Sequence, residues 1–368
     1  MSRNIHTGRS LENPQSLQVG FVPLTDCAPL AIARELGLFS KYNLEVHLRR
    51  ELGWATIRDK IIHGELDAAH ALAGMPFAAT LGLGSVACEC VTGLVLGLNG
   101  NAITLSRELW ENGVRDAKSL REVMTRLRGR KVFTFGIPFP FSSHNFLLRH
   151  WLSSSGIDPQ KDVQIVVVPP PQMFANLKAG NLDGYCVGEP WNSIAVQNRI
   201  GWCADTSVGL APNHPEKVLM VRSRFAADRA TEHLALIASL IEACTYCDQP
   251  ENADHVINVL SRPEYLNIPA ASLRRSITGP FDFGHGRTEK VPGFQIFHRD
   301  GANEPSAEKA GWVLKTMHQT GVIPNRSLIP SASIPKVFRS DIYQKARNLI
   351  TSVTNHEDKS KAENHTIA

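Results

Sequence analysis

The sequence has no apolar run long enough to cross a bilayer, which excludes a membrane-spanning helix. It has no excess of one charge: 39 Lys and Arg against 35 Asp and Glu leave +4. That balance is too mild to argue for a nucleic-acid partner, and no basic run is interleaved with aromatics. Cysteine is sparse, and seven scattered residues fit reduced thiols better than a disulfide framework. The one CxxC, Cys244 to Cys247 in IEACTYCD, lacks the second pair that zinc would want and reads as core thiols. His285 and His298 have no third metal ligand placed beside them. GxSxG, HExxH and a Gly-rich phosphate loop are also missing, so no catalytic residue, metal or cofactor is assigned and the chain is not read as an enzyme. The opening residues, MSRNIHTGRSLENPQ, carry no apolar stretch of the secretory kind, and the expectation is a cytoplasmic protein.

A chain of 368 residues exceeds the size at which one core keeps growing, which predicts two lobes. The stretch GFVPLTDCAPLAIARELGLF, from Gly20, reads as a strand entering a helix. Asp26 is expected to cap the helix, Pro29 to sit in its first turn and Gly37 to end it. Strand and helix alternate through the first hundred residues and again from Arg130, with RKVFTFGIP, SSHNFLLRHWLSSSG, DVQIVVVPPP and QMFANLKAG. A near-repeat links the two rounds: HGELDAAHALAGMP (His63 to Pro76) is echoed by AGNLDGYCVGEP (Ala179 to Pro190). Ligands of open α/β sheets bind beyond the carboxyl ends of the strands, so the turns GMP and GEP should face one shared cleft. The expected division is 17–103 plus 218–350 for lobe 1 and 104–217 for lobe 2, with flexible tails at 1–16 and 354–368. The irregular TGPFDFGHGRTEKVPGFQIFHRDGANEPS is expected to lie over a lobe surface or the cleft.

Together GFVPLTDCAP, ELGLFSKYNLEV, GWATIRDKIIHGELDAAHALAGMP and GYCVGEPWNS resemble the nitrate-binding family of ABC-transporter solute receptors, with bicarbonate receptors as close relatives. The resemblance runs from about Leu17 to Pro330. It implies a type II, two-lobed periplasmic-binding-protein-like α/β clamp, with parallel-rich sheets flanked by helices and the ligand between the lobes. The absence of a leader makes the chain look more like the cytoplasmic nitrate/nitrite-sensor branch, whose ligand-free receptor sequesters an ANTAR-type RNA-binding antiterminator. The alternatives are an importer's nitrate or bicarbonate receptor, and a pyrimidine synthase of thiamin biosynthesis, whose CCCFC signature is missing here.

Nitrate is a flat, weakly hydrated monoanion, so its site wants one cation, several donors and an apolar surface for its π face. The resemblance implies Trp54 for that surface, although Trp54, Ile57 and Ile61 also recur as a core face does. It implies Lys217, in NHPEKVLMV, for the charge, where bicarbonate receptors carry Glu; an ordinary surface lysine reads the same way. His144, in the first turn of its helix, is expected to look out of the second lobe as a neutral donor, held so by the helix dipole. Asn101 stands where the family usually has Gln, and Gly74 and Met75 would offer backbone N–H groups. Glu189 and Trp191 are assigned support, Glu189 by holding its turn or positioning Lys217, while Arg58 and Asp59 read as a local ion pair.

Overall fold

The computed structural model describes residues 16–323 and 334–365. Two sheets carry the fold. The first contains β1 (Ser16–Phe21), β2 (Glu45–Arg50), β3 (Ala68–Leu72) and β4 (Cys90–Asn99). The second contains β5 (Asn101–Ser106), β6 (Thr134–Ile137), β7 (Gln164–Val167), β8 (Gly184–Gly188) and β9 (Gly201–Thr206). The chain then returns to the first sheet with β10 (Pro215–Arg222); β11 (Phe281–Gly284) and β12 (Arg287–Glu289) form a hairpin, and β13 (Gln295–Ile296) completes the first sheet.

The two sheets repeat one topology. Their orders are β13-β4-β10-β3-β1-β2 and β7-β6-β8-β5-β9. In each, two parallel strands flank a first one, and a strand arriving from the other lobe runs antiparallel beside them: β10 against β3, and β5 against β8. The near-repeat has a physical cause in this pairing. Asp67 donates its N–H to Gln18 O and takes the Gln18 N–H on its carboxylate at 2.8 Å, and Asp183 does the same with Thr134 at 2.8 Å. Each aspartate locks the start of one parallel strand to its neighbour, which fixes the register that a one-residue slip would invert.

Pairing also sets the lobe boundaries a few residues from the expected ones. Asn101–Ile103 pair with β8 of the second sheet, and Pro215–Lys217 pair with β4 of the first. The linker passes through Asn99 and Gly100, both at positive φ, 61° and 92°. Of the expected N-terminal tail, all but Ser16 lies outside the described residues. The C-terminal tail is a correction: the last helix, Ser340–His365, runs through most of it, and nothing between those residues is Gly or Pro to stop it.

The first lobe is filled by the helix Ala230–Cys247, whose Leu236, Ile237, Leu240 and Ile241 pack on Leu94, Leu96 and Leu219. The irregular segment touches both lobes: Phe281 and Phe283 lie against Ala102, Val196 and Cys203 of the second, and Gln295–Ile296 pair with β4 of the first. A further apolar cluster joins the lobes, since Phe139, Phe141 and Phe146 of the second pack with Trp54, Met75 and Phe77 of the first. The result is a closed two-lobed α/β clamp.

Candidate functional site

Each crossing strand delivers its first polar residues to the carboxyl edge of a parallel strand. Lys217 of β10 sits opposite Leu72, the last residue of β3, and Asn101 of β5 sits opposite Gly188, the last residue of β8. In the pairing of β10 with β4 the register shifts between Pro215 and Lys217. Such a bulge re-aims side chains, and Glu216 and Lys217 are both buried here despite being adjacent.

Lys217 is 0% exposed. Its Nζ lies 2.6 Å from Asp26 Oδ2, 2.7 Å from Glu216 Oε1 and 5.4 Å from the centroid of the Trp54 ring. His70, from β3, lies beside the Trp54 ring at 5.5 Å and places Nε2 3.1 Å from Asp26 Oδ1. The second lobe meets this group on Glu216. Asn101 Nδ2 donates to Glu216 Oε2 at 2.6 Å, the Ser143 hydroxyl donates to the same oxygen, and His144 Nε2 stands 3.5 Å from Oε1. His214 Nε2 approaches Oε2 at 3.3 Å while its Nδ1 faces Ala211 O. Around this centre Trp54 Nε1, Nδ1 of His70, both ring nitrogens of His144 and Asn101 Oδ1 are buried without a hydrogen-bond partner among the described residues. Buried polar groups are ordinarily satisfied, so such a cluster marks a site built for a polar ligand.

The electrostatics follow from burial against pairing. Burial works to raise the Asp26 and Glu216 carboxyls, but the Lys217 ammonium and the neighbouring imidazoles outweigh it and hold both below the usual carboxylate range. Burial works to lower Lys217, and the two carboxylates hold it above its ordinary value. His70 and His144 are kept neutral chiefly by burial, with His144 pushed down to about 4. Burial also pushes Glu189 up to about 7, against hydrogen bonds from Ser193.

The structure brings Trp54, Asn101, His144 and Lys217 together in one buried group. Gly74 and Met75 open the helix Met75–Thr80 at the end of β3, with the Met75 side chain in the inter-lobe apolar cluster. Four expectations need correction. Asp26 makes no cap hydrogen bond, because its carboxylate is turned to Lys217 and His70. His144 does not look out from the second lobe: it is fully buried, and burial rather than the helix dipole is the first cause of its neutrality. Lys217 is no surface lysine, and its ammonium meets Asp26 and Glu216 rather than Glu189. Glu189 accepts from Ser193 N at 3.2 Å and gives its carbonyl to Thr25 N at 2.9 Å, tying the two lobes at this turn. Trp191 is half-buried and accepts from the Tyr185 hydroxyl on its carbonyl.

Arg58 and Asp59 do pair locally, at 2.7 Å. His285 stacks on Trp110, and His298 bonds Asn303 through Nδ1. Sequence reasoning missed Asp26 as a partner of the lysine, and missed His70, Ser143, His214 and Glu216 altogether. The signals were present as a lone His inside the apolar AHAL and a Glu preceding the buried Lys in HPEK, but only the pairing of strands gives them a common address.

The nitrate import ATP-binding protein NrtC of Synechocystis is 40% identical over 311 residues, covering 84% of this chain and 46% of NrtC. The bicarbonate transport ATP-binding protein CmpC of Synechococcus elongatus is 39% identical over 311 residues, with the same coverage of 84% and 46%. The chain thus spans about half the length of these curated relatives. The crystal structure of the periplasmic nitrate-binding protein NrtA from Synechocystis PCC 6803 superposes with a TM-score of 0.86 at 31% identity, covering 92% of this chain and 89% of that one. The fold is that of the two-lobed periplasmic binding proteins. With residues 10–261 matched by the model of the NMT1-like family, more than half its length, the chain belongs to that family.

Proposed function

We propose that this chain is a receptor that closes its two lobes on nitrate or nitrite and is not an enzyme. The observation that carries the reading is the buried Lys217 ammonium facing the Trp54 ring, with the Trp54 indole N–H and the His144 imidazole left without protein partners. A flat monoanion there would meet a cation, an apolar plane and unspent donors at once. Likeness to a structure whose name is nitrate-binding supports the ligand.

The finer reading is a cytoplasmic sensor that sequesters an ANTAR-type antiterminator when ligand-free and releases it when nitrate or nitrite closes the clamp. The seven free thiols fit a reducing compartment, and a ligand preferring the closed state shifts the clamp by its differential affinity. The other reading is an importer's receptor for nitrate or bicarbonate. Bicarbonate is favoured by the unpartnered acceptor Asn101 Oδ1, which its O–H could satisfy and nitrate could not.

Calorimetric titration of the ligand-stripped protein with nitrate, nitrite and bicarbonate tests the ligand. Saturable one-to-one heat from nitrate or nitrite is expected, and silence toward both with heat from bicarbonate would overturn the reading. Size-exclusion chromatography with an ANTAR protein tests the sensor, which requires a complex that forms without nitrate and falls apart with it.

A further inference from the structure

Two carboxylates face one ammonium in this cleft, Asp26 and Glu216 against Lys217, all buried. With His70 and His144 neutral, these three groups carry one net negative charge before any ligand arrives. A monoanion would add a second where water is excluded and charge is costly. Both contacts of Lys217, at 2.6 and 2.7 Å, are to carboxylates, so its single charge is outnumbered before an anion arrives.

We infer that the cleft takes its anion together with one proton, and that His144 holds that proton. This rests on the reading of the cleft as a nitrate or nitrite site. His144 faces Glu216 at 3.5 Å and Lys217 from β10, Asp26 from the turn after β1, and His214 from the segment before β10. Both its ring nitrogens are buried and unpartnered among the described residues, so a protonated ring has one N–H for the anion and one for Glu216. His70 is the lesser candidate, because it stands on the lobe that already carries Lys217. A proton on His144 puts a cation on each side of the anion, imidazolium from the second lobe and ammonium from the first, and so draws the lobes together only when the anion lies between them. Bicarbonate would bring its own O–H and need no such proton.

The test is titration of the full chain with nitrate at pH 6, 7 and 8, in phosphate and in Tris, whose ionisation heats differ. The expected result is uptake of one proton per nitrate and an affinity that falls about tenfold for each unit of pH. His144→Gln should weaken nitrate binding and make it flat with pH, while His233→Gln, a buried histidine outside the cleft, should leave the proton number unchanged. Should His144→Gln fail to fold, the nitrogen shifts of the His144 ring in the wild type report its protonation directly on adding nitrate. Nitrate binding with buffer-independent heat and flat affinity would overturn the inference and leave the nitrate reading standing. Unchanged proton uptake in His144→Gln would overturn the assignment to that residue. No binding of nitrate or nitrite at any pH would overturn both.

Discussion

Gly74 gives the sharpest test of lobe closure. It stands at the end of β3 in the first lobe, and a Cβ added there would fall well inside contact with the carbonyl oxygen of Phe141, in the second lobe, with the carbonyl carbon 3.3 Å away. The obstacle is backbone, so no side chain can swing aside. Gly74 itself has φ −81° and ψ −16°, which alanine adopts freely, so the substitution strains nothing within the first lobe. Relief comes by parting the lobes by about 1 Å, to a normal carbon–oxygen separation. That displacement pulls Asn101 and His144 off Glu216, where they now stand at 2.6 and 3.5 Å. A misplacement of about 1 Å at a binding centre costs on the order of 100-fold, or about 2.7 kcal/mol. Gly74→Ala should therefore lose about two decades of nitrate affinity by calorimetry. Its urea unfolding should show stability unchanged or raised by about 0.4–1 kcal/mol, the denatured-chain effect of Gly to Ala. Gly311→Ala, in the helix Ala307–Gln319 with nothing within 4 Å of the added carbon, is the control that should alter stability alone. Wild-type affinity in Gly74→Ala, or an affinity loss that only mirrors lost stability, would refute the argument.

Lys217→Met removes one partner of a buried ion network and should cost about 3–5 kcal/mol in urea unfolding while abolishing nitrate binding, with part of the loss recovered at pH 5 as the stranded carboxyls take up protons; a change under about 1 kcal/mol would mean that the network is not intact in solution. Trp54→Phe keeps an aromatic face but deletes the indole N–H, and calorimetry should show nitrate affinity down by about tenfold or more, the worth of a hydrogen bond to a charged group. Glu189 titrates near 7 in the folded state against an ordinary 4.5, so the folded protein keeps a proton that the unfolded chain gives up. As pH rises from about 4.5 to 7 this group should withdraw about 3 kcal/mol of stability. Glu189→Gln should thus gain on the wild type across that window and run parallel to it above; a constant offset from pH 5 to 8 would place the carboxyl at an ordinary value.

The local features read in the sequence rest on short-range rules. Pro29 stands in the first turn of its helix and Gly37 at φ 67° because capping and left-handed turns are decided within a few residues. The G-x-L-D near-repeat was visible because each lobe reuses the same lock between parallel strands, and the lock needs that one aspartate. Trp54, Asn101, His144 and Lys217 came into view through family resemblance, since no spacing in the chain links residues so far apart.

What the sequence determined alone was the alternation of strands and helices, the existence of two similar halves, and the residue types able to hold a flat anion. Tertiary structure alone decided the charge of the site. Asp26 and Lys217 are 191 positions apart, yet meet at 2.6 Å because β10 crosses back to lie beside β3. Burial then decides which groups stay charged: Asp26, Glu216 and Lys217 because they pair, His144 and His70 not, because desolvation outweighs what pairing returns to them. Solvent exclusion and long-range pairing are properties of the folded chain, and no local pattern of residues encodes them.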